Sequence, residues 1–265
     1  MRNDAIRIED ERLQGLDHSN YPWIHERHRI FPEILKEQKY EKILDIAAGM
    51  GIVAKRIQDN YPCYMLCNDI SSESLKNLQA NGLNTISFDL DDPQKPFPFP
   101  DGTFDAIISL ATIEHMINID EHMLEIKRIL KKDGHLYISA PNYSSIHFVI
   151  PYLIHGRSFH NPLSQGIDKY EFYAHVRYFT YNTLLEFVSS FGFTAENVYL
   201  PLPKGSARYN ALKKKSIILA FTLTTIMHLL YKVLPPRWAF HPVLRFRNTE
   251  QPDSRRIKKP KAIIL

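Results

Sequence analysis

The 265-residue chain has only two cysteines, Cys63 and Cys67, and both lie in or beside an apolar run. Cysteine in such a setting usually packs as a small apolar residue. The pair gives no sign of a disulfide framework or a zinc site, and a reducing compartment fits. Residues Met1 to Asp4 lack the apolar core of a secretory signal peptide. We therefore expect a cytoplasmic protein.

Acidic residues are scarce in the last quarter of the chain. From Pro201 onward there are 14 of the 33 basic residues but 2 of the 29 acidic ones. The rest of the chain is acidic, with 19 basic against 27 acidic residues. A basic segment on an acidic body predicts a polyanionic partner: phospholipid, nucleic acid or an anionic glycan. The alternative, over Arg255 to Lys261, is a solvated and partly disordered tail.

Strand-like and helical stretches alternate from residue 42 to residue 200, with clear turn signals such as Asp133-Gly134. This alternation predicts an α/β fold, a doubly wound and mostly parallel seven-stranded sheet with helices on both faces. The predicted strands are Lys42 to Asp45, Cys63 to Asn68, Thr85 to Phe88, Asp105 to Leu110, His135 to Ser139, Thr194 to Leu200 and Val243 to Arg247.

The same pattern divides the chain into three regions. Residues 1–40 are predicted to be a helical segment with an apolar face, and residues 41–203 form the core. After strand five the periodicity is lost, and we predict a lid-like insertion at 144–177. The third region is a basic and apolar C-terminal segment, 204–265, with a helix at 213–234 and a last strand at 243–247.

The stretch from Ile43 to Gly51 reads as a buried strand, a tight turn of small residues and the start of a helix. Such a turn lets backbone N–H groups approach a ligand. Gly49-x-Gly51-x-x-Ala54 matches the dinucleotide fingerprint, but a carboxylate at Asp45 suits an ammonium or a ribose and would repel a pyrophosphate. Asp69 follows the second strand, where nucleotide sites place an acid for ribose hydroxyls. The pattern predicts an adenosine-type cofactor.

Further motifs narrow the choice of cofactor. Asp89 follows strand three, where a carboxylate can accept a hydrogen bond from an adenine amino group. The run from Pro96 to Asp105 leads into strand four, and Glu114-His115 follows that strand. Together with the glycine turn, these motifs resemble the class I S-adenosylmethionine-dependent methyltransferases of the small-molecule type. The resemblance covers about Trp23 to Leu200 and departs at Ala47, where glycine is commoner.

The resemblance implies that the strand ends bind S-adenosylmethionine. Asp45 would hold the methionine moiety, Asp69 the ribose hydroxyls, and Asp89 the adenine edge. The alternative for Asp45 and Asp69 is ordinary capping of strand ends. The residues that the resemblance assigns to the cofactor are Arg27, Asp45, Ala47, Gly49, Gly51, Asp69, Ile70, Asp89, Leu90 and Leu110.

Histidines follow strand four and the predicted insertion. Methyl transfer to a hydroxyl needs a base, and histidine suits that role near neutral pH. We predict His115 and His175 as catalytic candidates, although either could instead be a structural, hydrogen-bonded residue. His147, His160 and Arg177 are candidate substrate contacts. The histidines show no metal-motif spacing, and we expect no required metal.

The uncharged stretch from Ser216 to Tyr231 is apolar but shorter than the roughly 20 residues that a membrane span needs. Lys213 to Lys215 precede it, and the basic residues Arg255 to Lys259 follow. A helix docked on the core fits this pattern. A helix lying in the interface of an anionic membrane fits as well, and would make the protein peripheral at the cytoplasmic membrane face.

These features together favour an S-adenosylmethionine-dependent methyltransferase that modifies a small-molecule acceptor. The predicted acceptor atom is an oxygen of a sugar, a lipid-linked molecule or a surface-glycan precursor. Methylation at nitrogen or carbon, RNA methylation and cofactor binding without catalysis stay open as alternatives. Nucleic acid is the less favoured partner, because the chain has no recognisable RNA-binding module. The oligomeric state is not indicated.

Overall fold

The computed structural model describes residues 2–156, 172, 174–249 and 257–265, apart from the side chains of residues 2–5 and 8. The predicted insertion at 144–177 therefore lies partly outside the described residues. His160 and the two arginines of the basic tail lie outside them altogether.

A sheet of eight strands runs through the described structure. In chain order the strands are β1 Lys42–Asp45, β2 Tyr64–Asn68, β3 Asn84–Ile86, β4 Phe104–Leu110, β5 Leu130–Ser139, β6 Phe193–Leu200, β7 Val243–Asn248 and β8 Lys261–Ile264. Their order across the sheet is β3-β2-β1-β4-β5-β7-β6-β8, and β7 alone is antiparallel to its neighbours. This confirms the predicted fold class.

The predicted count of seven strands is wrong, because β8 adds an eighth strand at the edge of the sheet. It pairs in parallel with β6, from Asn197 with Lys261 to Leu200 with Ile264. This strand has four residues and directly follows the basic tail, so no extended alternation marked it in the sequence. Pairing with β6 covers an edge that would otherwise expose unpaired backbone groups.

Successive residues of the central strands pack on opposite faces of the sheet. Leu44 and Ile107 belong to the apolar core on one face, and Ile43 and Ile108 belong to the core on the other. All four side chains are fully buried. Parallel strands that are covered on both faces consist of nearly continuous apolar residues, which is why β1 and β4 were recognisable in the sequence.

Helices cover both faces of this sheet, as predicted. The α-helices are α1 Arg2–Leu13, α2 Glu26–Arg29, α3 Ile52–Asn60, α4 Ser72–Ala80, α5 Ile119–Ile129, α6 Ile146–His155, α7 Tyr181–Ser190, α8 Ala207–Lys215 and α9 Ile217–Val233. Short 3-10 helices lie at Glu33–Leu35, Ile113–His115 and Pro236–Trp238. Helices α5 and α7 pack into one core, while α3 and α4 pack into the other.

The helices near the two ends of the chain differ in detail from those predicted. In the N-terminal segment α1 ends at Leu13, and Gly15 has a left-handed φ of 74°. In the C-terminal segment the predicted 213–234 helix is interrupted at Ser216. This residue has an extended backbone, ends α8, and caps α9 by accepting a 3.3 Å hydrogen bond from the Leu219 amide.

Candidate active site

The carboxyl ends of β1, β2 and β4 open into a pocket of about 880 Å³. This is the edge at which open α/β sheets bind their ligands. Most of the residues predicted to bind the cofactor line the pocket, namely Arg27, Asp45, Ala47, Gly49, Asp69, Ile70, Asp89, Leu90 and Leu110. The fold therefore brings the predicted cofactor residues to one place.

Gly51 is the exception among these residues, since it does not line the pocket. It begins α3 with a φ of 77°, and a Cβ atom there would lie 2.6 Å from Leu78 Cδ2 and 2.9 Å from Leu83 Cδ1. The left-handed φ favours glycine at this position, and a side chain would also have to displace the ends of Leu78 and Leu83. The role of Gly51 in binding the cofactor stays a prediction.

Asp69 holds the turn between β1 and α3. Its carboxylate accepts a 2.7 Å hydrogen bond from the Gly49 amide and a 2.9 Å hydrogen bond from the Ser71 amide. The strand-end capping considered for this residue is therefore present in the structure. Each carboxylate oxygen has a second lone pair, so Asp69 retains the capacity to accept hydrogen bonds from ligand hydroxyls.

Asp45 is a buried acid at the end of β1, with 4% of its surface exposed. Burial, and then the nearby charge of Asp69, raises the pKa of Asp45 to about 7. A carboxyl group in this state is stabilised in its ionised form by a cation that enters the pocket. The base of the pocket is therefore suited to a positively charged ligand group.

A group of histidines around Arg27 forms another part of the pocket wall, and the sequence did not mark it. Arg27 is buried, and its Nη1 lies 3.2 Å from His241 Nδ1. Burial, and then the charge of Arg27, lowers the pKa of His25 to about 3, and the same causes lower the pKa values of His28 and His241. These imidazoles are neutral at physiological pH, so Arg27 carries positive charge among them.

The segment after β4 brings Glu114 and His115 into the pocket. Ala111 adopts a left-handed φ of 54°, which turns the chain from β4 toward the 3-10 helix Ile113–His115. Glu114 is fully buried and His115 is half-buried. Ala111 was not predicted, because an alanine gives no sign in the sequence of a backbone conformation that favours glycine.

His175 meets this segment from a part of the chain 60 residues away. The rings of His115 and His175 pack edge to face, with centroids 4.9 Å apart. His115 Nδ1 lies 2.9 Å from the Ala174 carbonyl oxygen, and His175 Nδ1 lies 2.9 Å from the Tyr143 hydroxyl. The structure thus places both predicted catalytic histidines in one cluster with Glu114, on the wall of the pocket.

Arg177 is not among the described residues that line the pocket, and its role as a substrate contact stays a prediction. Its Nε donates to the Met116 carbonyl at 2.9 Å, and its Nη2 donates to the Ile117 carbonyl at 2.8 Å. The guanidinium therefore fixes the loop that carries His115. Among the other predicted substrate residues, His147 lines the pocket beside Phe240, whereas His160 lies outside the described residues.

Comparison with known proteins agrees with this geometry. Residues 44–138, from β1 to β5, match the family model described as a methyltransferase domain. This region is a class I methyltransferase domain of the S-adenosylmethionine-dependent type. A solved structure from Thermotoga maritima, a SAM-dependent methyltransferase named as a possible histamine N-methyltransferase, has the same fold. It is 15% identical, with a TM-score of 0.53 over 84% of this chain and 91% of its own.

The relatives of the methyltransferase domain differ in the reactions that their names describe. Malonyl-[acyl-carrier protein] O-methyltransferase from Geobacter sulfurreducens is 30% identical over 98 residues, which are 35% of this chain and 36% of that protein. The cyclase SpnF shares the fold at 14% identity, with a TM-score of 0.56 over 94% of each chain. The chain thus spans about a third of the curated relative, and the fold by itself does not define a reaction.

The pocket of the methyltransferase domain fits S-adenosylmethionine in its distribution of charge. This ligand has a cationic amino-acid end and a nucleoside end. The buried carboxyl of Asp45 suits the ammonium group, and the lone pairs of Asp69 suit the ribose hydroxyls. Ala47, where glycine is commoner, lines the pocket as a small residue and leaves space for the ligand.

Proposed function

We propose that this chain transfers a methyl group from S-adenosylmethionine to an oxygen atom of a small-molecule acceptor. The observation that carries the proposal is the continuity of the pocket, which joins Asp45 and Asp69 at the sheet edge to Glu114, His115 and His175. One part of the pocket suits a cationic nucleoside. The other part has the groups that a hydroxyl needs in order to lose its proton.

The two sets of residues have different tasks in this proposal. When bound, S-adenosylmethionine supplies an electrophilic methyl group on its sulfonium. Asp45 binds and orients the amino-acid end, and Asp69 and Asp89 orient the nucleoside. His115 acts on the acceptor: its Nδ1–H donates a hydrogen bond to the Ala174 carbonyl oxygen, which leaves the lone pair on Nε2. To become nucleophilic, an acceptor hydroxyl needs either a base whose lone pair takes its proton or a cation that lowers its pKa.

The acceptor proposed is a sugar, a lipid-linked molecule or a surface-glycan precursor. Helix α6 supports this class, because His147, Phe148 and Pro151 line the pocket while Leu153 and Ile154 are exposed on the surface. An acceptor with an apolar tail can keep that tail on this surface while its polar end enters the pocket.

The exposed apolar side chains of helix α9 support binding to a membrane surface. Of its residues, all of which the structure describes, Ala220 is the buried one, whereas Ile218, Phe221 and Val233 are more than 70% exposed. Lys213 to Lys215 lie directly before it. Among the described residues no helix is both long enough and apolar enough to cross a bilayer. We propose that α9 lies in the interface of an anionic membrane at its cytoplasmic face, with the lysines at the headgroups.

Calorimetry tests the cofactor part of this proposal. S-adenosylmethionine and its demethylated product should each bind the full chain at one site, and NAD should not. Binding of NAD in preference to both would overturn the cofactor assignment. Methyl incorporation should then be measured with hydroxyl and amine acceptors of matched size. Transfer to amines alone would favour the nitrogen alternative, which the name of the Thermotoga structure also raises.

Two further alternatives have their own outcomes in the same assays. Salt-sensitive binding of RNA together with methyl incorporation into it would favour an RNA methyltransferase. Tight binding of S-adenosylmethionine with no methyl transfer to any acceptor class would favour a cofactor-binding protein without this activity.

A further inference from the structure

We propose that Glu114, His115 and His175 bind one divalent transition-metal ion of the Zn²⁺ type on the acceptor side of the pocket. Each of the three side chains offers one ligand atom, and these atoms lie within 4.8 Å of one another. Bonds of about 2.1 Å in a tetrahedral site place ligand atoms roughly 3.4 Å apart, so small side-chain rotations close the cluster around an ion.

The chemistry of the donors selects the class of ion. Two imidazole nitrogens and one carboxylate oxygen match the ligands of Zn²⁺ and of neighbouring first-row metals, whereas Mg²⁺ and Ca²⁺ prefer oxygen ligands. Glu114 is fully buried, and a buried carboxylate is costly unless a cation or hydrogen-bond donors stabilise it. A bound ion would add to the interactions that Glu114 already makes.

Hydrogen bonds already orient the two imidazoles for binding a metal. The Ala174 carbonyl can only accept, so it fixes the proton of His115 on Nδ1 and the lone pair on Nε2. The Tyr143 hydroxyl lies at the equivalent nitrogen of His175 and can accept in the same way. Partners on the nitrogen remote from the metal are a regular feature of metal-binding histidines, and they hold the ring in place.

The backbone around the cluster is fixed as well. The amides of Val176 and Arg177 both donate to the Glu114 carbonyl oxygen, at 3.0 and 3.1 Å. The Arg177 guanidinium adds its two bonds to the Met116 and Ile117 carbonyls. These contacts join the segments that carry the three ligands, so a metal ion would meet a largely preformed site.

Three protein ligands leave at least one coordination position for a water molecule or the acceptor. All three side chains line the pocket, so a hydroxyl of the acceptor can reach that position. A hydroxyl bound to such an ion has a lowered pKa and releases its proton to water more readily. With the ion bound, His115 is a ligand and no longer the base, so the ion takes over the activation of the hydroxyl. This role rests on the methyl transfer proposed above, whereas the existence of the metal site does not.

The test is metal binding by the full chain in the absence of S-adenosylmethionine. After treatment with a chelator and dialysis, the protein is titrated with Zn²⁺ in competition with a chromophoric chelator. One equivalent should bind. Glu114→Gln, His115→Ala and His175→Ala should each weaken binding at least about tenfold. His155→Ala removes an exposed histidine of α6 and should leave the affinity unchanged.

A second readout reports on the ligands directly. When Co²⁺ is bound by the imidazoles of the wild-type protein, it should give visible absorption. Glu114→Gln should alter this spectrum. The variant keeps the shape of the side chain, and circular dichroism checks that it is folded. The proposal is overturned if the wild-type protein binds no stoichiometric ion, or if the three variants bind as tightly as His155→Ala. Cofactor calorimetry is independent of these results, so failure of the metal site and failure of the methyltransferase proposal are distinguishable.

Discussion

The pocket has a cofactor side around Asp45 and Asp69 and an acceptor side around Glu114, His115 and His175. The residues of the two sides differ in how far apart they lie in the chain. On the cofactor side, Asp45 ends β1, Asp69 follows β2 and Asp89 follows β3, and each is part of a short local motif. On the acceptor side, Glu114 meets His175 from 61 residues away, and His115 meets the Ala174 carbonyl from 59 residues away. A ligand shared by a family can be recognised by local motifs, whereas a particular acceptor is recognised by side chains that the fold gathers.

The largest effect is expected at Asp45, which tests whether the cofactor side depends on one buried charge. Asp45→Asn should weaken S-adenosylmethionine binding about 100-fold, as expected for the loss of a buried charge partner. Wild-type affinity should increase as the pH rises through about 7, the pKa of Asp45, and the variant should lack this dependence. Calorimetry between pH 5.5 and 8.5 measures both, and Asp59→Asn on α3 is the exposed control.

The same substitution should have the opposite effect on the stability of the ligand-free protein. Burial raises the folded-state pKa of Asp45 above its ordinary value of 3.8. The folded state therefore holds the proton more tightly, and the carboxyl costs stability as the pH rises from about 4 to about 7. Asp45→Asn should gain stability relative to wild type over that range, by up to about 4 kcal/mol. Chemical denaturation measures the difference in free energy of unfolding between the variant and the wild type. If this difference is the same at pH 4 and pH 7, the raised pKa of Asp45 is contradicted.

Helix α9 tests whether the acceptor side extends to a membrane. The wild-type protein should float with anionic vesicles at low salt. Ile218→Asp combined with Phe221→Asp should reduce that binding at least about tenfold, because two exposed apolar side chains are lost and negative charge is added. Leu124→Asp, which changes an exposed leucine of α5, is the matched control. Absence of wild-type flotation at low salt would refute the interfacial model.

Arg177 tests whether long-range contacts hold the acceptor side together. Arg177→Ala removes the bonds to the Met116 and Ile117 carbonyls and should lower the free energy of unfolding by about 1–2 kcal/mol. Zn²⁺ affinity should decrease with it, while S-adenosylmethionine affinity should not. The control Arg7→Ala removes an exposed ion pair with Glu11 and should change stability by less than about 0.5 kcal/mol. Equal losses of Zn²⁺ and cofactor affinity would show that the two sides are not separable.

The smallest effect is expected at Ala111, where β4 turns toward the acceptor side. A left-handed conformation costs a non-glycine residue about 1 kcal/mol, so Ala111→Gly should stabilise the protein by roughly 0.5–1 kcal/mol. Ala54→Gly, inside α3, should destabilise it by about 1 kcal/mol. Thermal denaturation compares the two, and destabilisation by Ala111→Gly would show that the turn is not strained.

Most of the fold could be predicted because its strongest signals are local. The apolar runs of β1 and β4 are visible within a few residues. The eighth strand could not be predicted, because its four residues are stabilised by pairing with β6 and by packing on the cores, both of which depend on the fold. The break at Ser216 was missed because both flanking segments have helical composition, and the extended backbone of a single residue decides where α8 ends.

The order of residues is enough to predict seven strands, the glycine turn and the acids at the strand ends, because an apolar period and a small-residue turn act over short distances in the chain. The packing of Gly51 against α4, the support that Arg177 gives to a loop, and the clustering of Glu114, His115 and His175 come from contacts between separate segments. The histidine spacing predicted no metal, and yet the fold gathers three possible ligands. A metal ion needs ligands that lie close together in space. The spacing of residues along the chain reveals such ligands only when they belong to the same helix, strand or loop.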